Sequence, residues 1–326
     1  MGTSTMNHEK SRIPESLSIV IPCHNEEAVL PSTYATLKSL LSQWQVRLIS
    51  DYEIVLVNNG STDQTLEVML DLQKEDTNIV IVDLRNNYGY QGSITAGLHH
   101  ATKNMVVSID ADLQDDPAKI GEMIEKYSEG YDMVLGVRQS RKSDRFLKRM
   151  TAQWYYKFLH HMHIKSVFNH GDFRLLSRTL VDEFKKLNER NRYIRGMILN
   201  LDNHYTTVTY DRTKRKAGKP KFDAKSLFAL SLDGITSFST GPIRVISILG
   251  IFMSFVSIVG MIYVLYVKFI RGVEVPGWAF LAIVIIFFGG LQNLSIGIIG
   301  EYIGKIYIES KQRPLYHVRK IYKKEN

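Results

Sequence analysis

The chain of 326 residues contains one cysteine, Cys23, so no disulfide can form within it, which fits a reducing compartment. The plain reading of Cys23 is a small buried residue in a strand. Met1 to Ser16 is polar and lacks the apolar core of a secretory signal, so the soluble part is expected to stay in the cytoplasm. No internal repeat and no low-complexity tract is present, which sets aside architectures built from either. Acidic residues are the minority: 41 Lys and Arg against 33 Asp and Glu leave a net charge of +8. That balance suits nucleic acid, anionic lipid or phosphorylated substrates. Much of the excess lies from Arg212 onward, around two long apolar runs, which favours a membrane surface over nucleic acid.

Charge is missing altogether from Val245 to Val267 and from Ala279 to Gly300. Each run exceeds the roughly 20 residues that cross a bilayer as a helix. Arg212, Lys214, Arg215, Lys216, Lys219, Lys221 and Lys225 precede the first. Lys305, Lys311, Arg313, Arg319, Lys320, Lys323 and Lys324 follow the second. The connecting loop is short, so both ends are expected on the cytoplasmic side of a helical hairpin, with Gln292 and Asn293 bonding between helices. Glycines 289, 290, 297 and 300 would let the hairpin pack against copies of itself as a homo-oligomer. Ahead of it, Leu227, Phe228, Ser231, Leu232, Ile235 and Phe238 give one apolar face, expected of a helix lying in the interface with membrane lipid, with an ordinary core helix as the alternative.

Before the hairpin, β-branched runs alternate with helical patterns. Strands are expected at Leu17–Pro22, Glu53–Val57, Ile79–Leu84, Met105–Ile109 and Asp132–Val137. Helices are expected at about Glu26–Gln43, Gln64–Lys74, Gln91–Thr102 and Pro117–Tyr127. This alternation predicts βαβ units and an α/β fold with a mostly parallel sheet. After Arg138 follow a basic amphipathic helix (Phe146–His161), the segment Gly171-Asp172-Phe173-Arg174, a further helix, and a strand near His204–Tyr210. Histidines at 99, 100, 160, 161, 163 and 170 match no standard zinc spacing and read as solvated helix ends.

The most informative segment is Asp110-Ala-Asp112-Leu-Gln114-Asp115-Asp116-Pro117, directly after the strand from Met105. Carboxylates crowded at a strand end repel unless a cation sits between them. Oxygen-only donors suit a hard ion, Mg²⁺ or Mn²⁺, which takes phosphate oxygens as further ligands. Two other strand ends look functional: Pro22-Cys-His24-Asn-Glu26, and Asn58-Asn59-Gly60-Ser61-Thr62-Asp63, where Ser61 to Asp63 also read as a turn with a helix cap.

These segments, with Arg85-Asn86-x-x-Gly89, Gly136-Val-Arg138, Gly171-Asp-Phe-Arg174 and Gly218-Lys-Pro-Lys221, resemble the family 2 inverting glycosyltransferases of GT-A fold. The branch is the one that moves a sugar from a nucleotide to a polyprenyl phosphate. The tail Gly300-Glu-Tyr-Ile-Gly-Lys-Ile-Tyr307, then Arg313-Pro-Leu-Tyr316, looks like the bacterial undecaprenyl-phosphate enzymes. The resemblance implies that Asp110, Asp112 and Gln114 hold the metal, with Ala111 at the ribose. Pro22, His24, Glu26 and Asn59 would border the nucleotide, and Arg138, Arg215 and Lys221 the diphosphate. Asp172 matches the position assigned as general base, and Arg174, Arg192 and Arg195 would grip the lipid phosphate, to which Arg offers bidentate bonds.

Three positions depart from the family pattern: Asn58-Asn59 for Asp-Asp, His24 for Tyr, and Pro220 for Ser. Because an Asn amide can donate as well as accept, the first loosens the choice of nucleotide, with a UDP-sugar still expected. The implied division is a polar tail (1–16), a catalytic domain (17–222), an amphipathic helix (223–241), a hairpin (242–303, spans about 245–267 and 279–300) and a basic cytoplasmic tail (304–326). The implied location is the inner (plasma) membrane, multi-pass, with the catalytic domain cytoplasmic. A processive polysaccharide synthase would carry Gln-x-x-Arg-Trp and more membrane helices, and neither occurs. A scaffold that has lost turnover is opposed by the intact Asp110, Asp112, Gln114 set.

Overall fold

The computed structural model describes residues 15–139, 167, 169–202, 204–211, 241–270 and 277–324. The expected basic helix at 146–161, most of the amphipathic helix at 223–241, and Arg215 and Lys221 lie outside the described residues.

Strand and helix alternate as β1 (Glu15–Cys23), α1 (Leu30–Trp44), β2 (Ile49–Asn58), α2 (Thr65–Glu75), β3 (Ile79–Leu84), α3 (Gly89–His100), β4 (Met105–Ser108), α4 (Lys119–Ser128) and β5 (Met133–Arg138). Then come β6 (His170–Ser177), α5 (Arg178–Lys186), α6 (Ile194–Leu201), β7 (Tyr205–Tyr210), α7 (Gly241–Phe269), α8 (Trp278–Ser310) and β8 (Val318–Tyr322). The eight strands form one sheet in the order β7-β5-β6-β4-β1-β2-β3-β8. β1 pairs in parallel with β2 and β4, β2 with β3, and β5 with β7. β6 is antiparallel to β4 and β5, and β8 to β3.

Alternate residues of the central strands face different helical layers, as the two-residue period requires. Leu17, Ile19, Ile21, Ile54 and Leu56 pack with Leu30, Leu37 and Leu41 of α1 and Met123 of α4. Val20, Val55 and Val57 pack on the opposite face with Ile94 and Leu98 of α3, Phe184 of α5 and Ile198 of α6. Each fully buried leucine of this kind contributes about 1.5–3 kcal/mol.

Three differences from the sequence reading have physical causes. α1 begins at Leu30 and not at Glu26, because Pro31 sits in the first turn, where its fixed φ starts a helix. Gly171 to Arg174, given no element by the sequence reading, is part of β6, buried throughout and bonded on both sides by β4 and β5. The region expected as a basic tail continues α8 to Ser310 and then returns as β8, covering the open edge of β3.

One helical stretch among the described residues is long and apolar enough to cross a membrane, Gly241–Gly260, with mean hydropathy 2.2 and none of it buried against the protein. Along α8, Leu281, Ile285, Phe287, Leu294, Ile296 and Ile299 are exposed too.

Gly97 of α3 lies against the sheet, where an added Cβ would collide with Val20 and stand 3.1 Å from Val57 Cγ2. Gly97→Ala should therefore cost about 1–3 kcal/mol through overpacking. Thermal unfolding in detergent would register this as a lower midpoint, and an unshifted midpoint would contradict the packing described.

Candidate active site

The antiparallel course of β6 makes the site. Ser108, the last residue of β4, pairs with Arg174, so the start of β6 lies beside the Asp110 loop. The ends of β1, β2, β4, β5 and β7 come to the same edge of the sheet, with Cys23 opposite Asn58 and Arg138 opposite Tyr210. Ser108 Oγ donates to the Asp172 carbonyl at 2.6 Å and locks the two loops together.

The four carboxylates after β4 have separate partners. Asp116 accepts the Ala118 N–H at 3.0 Å, at the start of α4. Asp115 is buried and accepts Tyr210 OH at 2.7 Å and Arg138 Nη2 at 3.1 Å. Asp112 accepts the Gln114 N–H at 3.1 Å, and Leu113 takes a positive φ of 53° to turn the loop. Thr33 of α1 donates to the Ala111 carbonyl at 2.6 Å, holding the loop from the other side. Asp110 accepts Tyr90 OH at 2.7 Å. Burial first, then the charges of Asp115 and Asp172, push the Asp110 carboxyl up to about 7, while the Tyr90 hydroxyl pulls it down. Burial, then the charges of Asp110 and Asp172, keep the Tyr90 hydroxyl protonated well above its ordinary value.

Among the described residues no group of three or more His, Cys, Asp or Glu side chains is arranged to hold a metal ion. The donors present are two carboxylates and an amide, which suits an ion that keeps its waters and completes its shell with substrate phosphate. Asp110 is raised by burial and then by the neighbouring charges of Asp115 and Asp172, a cost that a cation would relieve, so the residues fit Mg²⁺ or Mn²⁺.

At the β1 and β2 ends, His24 Nδ1 lies 3.0 Å from the Asn59 carbonyl and Nε2 lies 3.1 Å from Asn87 Nδ2. The Asn87 amide donates to Nε2, so Nδ1 carries the proton and donates to Asn59. The Asn59 side chain is buried and engaged within the protein: its oxygen accepts the Tyr88 N–H at 2.9 Å, and its amide donates to Asn87 Oδ1 and the Gly89 carbonyl at 3.1 Å each. It ties the loops after β2 and β3 together. Gly60 serves the same junction, since its φ is +61° and a Cβ there would stand 2.5 Å from the Asn86 backbone. Asn58 donates to buried Asp83 at 2.7 Å and accepts the Ser61 N–H at 3.2 Å. A carboxylate at position 58 would face a second one at Asp83, so the Asn removes a like-charge clash. Pro22 is buried within β1, and the Glu26 N–H donates to Thr65 Oγ1 at 2.8 Å. Asp63 accepts the Thr65 N–H at 3.1 Å in a turn, while Gln64 and not Asp63 is the N-cap of α2.

On the other side of the Asp110 loop stands a buried charge trio. Arg174 Nη2 donates to Asp172 Oδ1 at 2.5 Å, and Arg195 Nη2 donates to Oδ2 at 2.7 Å. Burial alone would raise the Asp172 carboxyl, but the Arg195 and Arg174 guanidinium groups outweigh it and hold Asp172 well below the usual carboxylate range. The Arg174 side chain is 2% exposed and that of Arg195 is 32% exposed, so Arg195 is the member that can meet a ligand. Arg174 is instead an internal strut, with Nη1 buried and without a hydrogen-bond partner. Burial first, then the neighbouring Arg174 charge, keep His170 well below its ordinary value and therefore neutral.

The structure thus brings Asp110, Asp112, Gln114, Arg138, Asp172, Arg174 and Arg195 to one edge. Arg192 turns away: its guanidinium lies 4.9 Å from the Phe184 ring centre and donates to the Leu187 carbonyl and, at 3.1 Å, to the Glu189 carbonyl. Arg138 is engaged with Asp115 and Tyr210, so it braces the loop as well as facing the site. The sequence reading assigned no role to Tyr90, Asn87, Tyr210 or Asp83. Tyr90 and Asn87 follow the β3 strand end, a position that marks ligand-facing loops. Tyr210 and Asp83 had no local signal, because their partners are far away in the chain.

The chain belongs to glycosyl transferase family 2, whose model matches residues 18–185. It is a glycosyltransferase with an α/β catalytic sheet. It is 43% identical to an uncharacterized glycosyltransferase of Bacillus subtilis over 95% of each chain. It is 39% identical to the bactoprenol glucosyl transferase of Shigella phage SfV, over 93% of this chain and 98% of that one. It is also 39% identical to a prophage bactoprenol glucosyl transferase homolog of Escherichia coli, over 94% and 99%. A glucosyl-3-phosphoglycerate synthase from Mycobacterium tuberculosis, solved with Mn²⁺, UDP-glucose and phosphoglyceric acid, is 17% identical. It covers 68% of this chain and 78% of its own at a TM-score of 0.45, too distant to bear on this site.

Removing Arg174 leaves buried Asp172 with Arg195 as its remaining counterion and forfeits one charged hydrogen bond. Arg174→Leu should destabilise the folded protein by about 1.5–3 kcal/mol, with Arg174→Lys recovering part of it. Denaturant unfolding followed by tryptophan fluorescence measures this, and equal stability of Arg174→Leu and the parent would refute the strut role.

Proposed function

We propose that this glycosyltransferase moves a sugar from a nucleotide-sugar, a UDP-sugar, onto polyprenyl (undecaprenyl) phosphate at the cytoplasmic face of the plasma membrane, inverting the anomeric carbon. One observation carries the reading: an Asp-x-Asp loop suited to a departing diphosphate stands at the same sheet edge as a half-exposed arginine suited to an incoming phosphate. The relatives named bactoprenol glucosyl transferase support the lipid acceptor. The exposed apolar faces of α7 and α8 support a membrane hairpin, with α8 as its second leg.

Asp110, Asp112 and Gln114 would hold Mg²⁺ or Mn²⁺. That ion, when bound, neutralises charge on the departing nucleoside diphosphate. Tyr90 fixes the Asp110 carboxylate by its hydroxyl bond, and Ala111, tethered by Thr33, faces the ribose. Pro22, His24 and Glu26 border the nucleotide, with the Asn59 backbone carbonyl holding the His24 ring. Arg138 faces the diphosphate, and Arg215 and Lys221 would close over it. Arg195 takes the lipid phosphate in bidentate fashion.

Asp172 acts by orienting Arg195. Its carboxylate is flanked by two guanidinium groups and has little affinity for a proton. It also has little need of one, because a phosphate monoester with a second pKa near about 6 arrives largely dianionic at neutral pH. The phosphate then displaces the nucleoside diphosphate from the face opposite to it, with the Arg195 pair holding its line of approach.

The test is to incubate purified protein with Mg²⁺ or Mn²⁺, polyprenyl phosphate and a panel of UDP-, GDP- and dTDP-sugars. A lipid carrying one sugar is expected. A polymer would mean a processive synthase, and no metal-dependent turnover a non-catalytic scaffold.

A pH prediction follows from the sign of the Asp172 shift. A carboxylate held low is ionised throughout the neutral range, so it should add no limb to the rate profile above about pH 5. The acid limb should fall near about pH 6, with the acceptor phosphate. Asp172→Asn should lower kcat/KM for polyprenyl phosphate by about 10²-fold, an effect of the size seen when a positioned charge is lost. The limb should stay in place, and its disappearance in that variant would restore Asp172 as the proton acceptor.

A further inference from the structure

The tail that follows α8 has no part in the chemistry above, yet it makes a dense set of contacts with the catalytic sheet. From the last turns of α8, Glu309 takes the Arg190 backbone N–H on both carboxylate oxygens, at 2.8 and 3.1 Å. Asn191 Nδ2 donates to the Lys305 carbonyl at 3.2 Å, and Arg190 Nη2 to the Gln312 carbonyl at 3.2 Å. Gln312 adopts a positive φ of 47° and turns the chain back. Tyr316 OH then meets His99 Nδ1 at 3.0 Å, the His317 carbonyl accepts the Arg85 N–H at 2.9 Å, and β8 joins β3.

The segment held by Glu309, residues 187–193, leads directly into α6. Its far end is fixed on the catalytic side, where the Ile194 N–H donates to Gln91 Oε1 at 3.1 Å and Arg195 bonds both oxygens of Asp172 at 3.2 Å or less. Between these two anchors Arg192 is used internally, against Phe184 and the loop carbonyls. Gln91 is the neighbour of Tyr90, which holds Asp110. A short run of backbone therefore links the end of the long apolar helix to the partly exposed Arg195 of the site.

We infer that Glu309 is a positioning residue for the lipid phosphate: by gripping the Arg190 backbone it fixes Arg195 relative to the end of α8. The inference rests on the proposed transfer to polyprenyl phosphate. The bond is to a backbone N–H, so any side chain at 309 with an oxygen acceptor of similar reach keeps part of it. Lost order in residues 187–195 would spread Arg195 over several positions and weaken its hold on the phosphate, while the donor loops at His24, Asn59 and Asp110 have their own separate anchors.

The test compares Glu309→Ala and Glu309→Gln with the full-length parent in bilayer nanodiscs. Glu309→Ala should raise KM for polyprenyl phosphate about tenfold and leave KM for the nucleotide-sugar unchanged. Glu309→Gln should stay near the parent. Hydrogen exchange at amides 190–195 should quicken in the alanine variant alone. An unchanged acceptor KM, a donor KM that rises in parallel, or unaltered exchange would each overturn the inference. If the parent itself glycosylates no polyprenyl phosphate, the functional reading fails, and the exchange result still decides whether Glu309 orders the segment.

Discussion

The arrangement of this site depends on how its negative charge is balanced. Two carboxylate groups stand side by side at one sheet edge, and they are treated in opposite ways. Asp172 is enclosed by Arg174 and Arg195 and stays ionised against the cost of burial. Asp110 is bonded by the Tyr90 hydroxyl, and burial with the charges of Asp115 and Asp172 raises its proton affinity. The contrast separates their electrostatics: one carboxylate is neutralised by cations the protein supplies, while the other is left with a hydroxyl partner and like charges nearby.

That separation exists because β6 runs against its neighbours. An antiparallel strand inserted between β4 and β5 delivers its first residues to the edge where parallel strands deliver their last. Asp172 is thereby placed beside a loop more than 60 residues away in the chain, with Ser108 bonding the two together. β8 extends the same sheet from the other side, so the long helices α7 and α8 are inserted between parts of one sheet and not appended to its end. A load on α8 is felt by the catalytic domain through both β8 and the Glu309 contact.

Much of the fold was legible because the strands of an α/β sheet are short apolar runs bounded by polar loops. β3 was read to the residue, and β4, β5 and β7 to within one. β6 was harder to read, since His170-Gly-Asp-Phe-Arg places charge inside a strand, and only the Asp172–Arg174–Arg195 pairing makes its burial tolerable. β8 is rich in basic residues that shield an edge strand, so it looked like a solvated tail. The clustering of site residues at the strand ends was equally legible. The division of the arginines was not: Arg174, Arg192 and Arg195 are one residue type within a short stretch, and burial gives them three different tasks.

Asn58-Asn59 shows where the boundary falls. Its place at a strand end, like the Asp-x-Asp spacing and the two uncharged runs, follows from local order along the chain, because hydropathy period and strand length are local properties. What the two amides do was decided by contacts between distant segments: Asn58 meets Asp83 of the next strand, and Asn59 closes the loops after β2 and β3. The sequence by itself determined the family, the sheet and the set of polar groups at its edge. Tertiary structure alone decided which of those groups are spent on one another and which remain to meet a substrate, since hydrogen bonds and charge pairs are satisfied in space and not in sequence order.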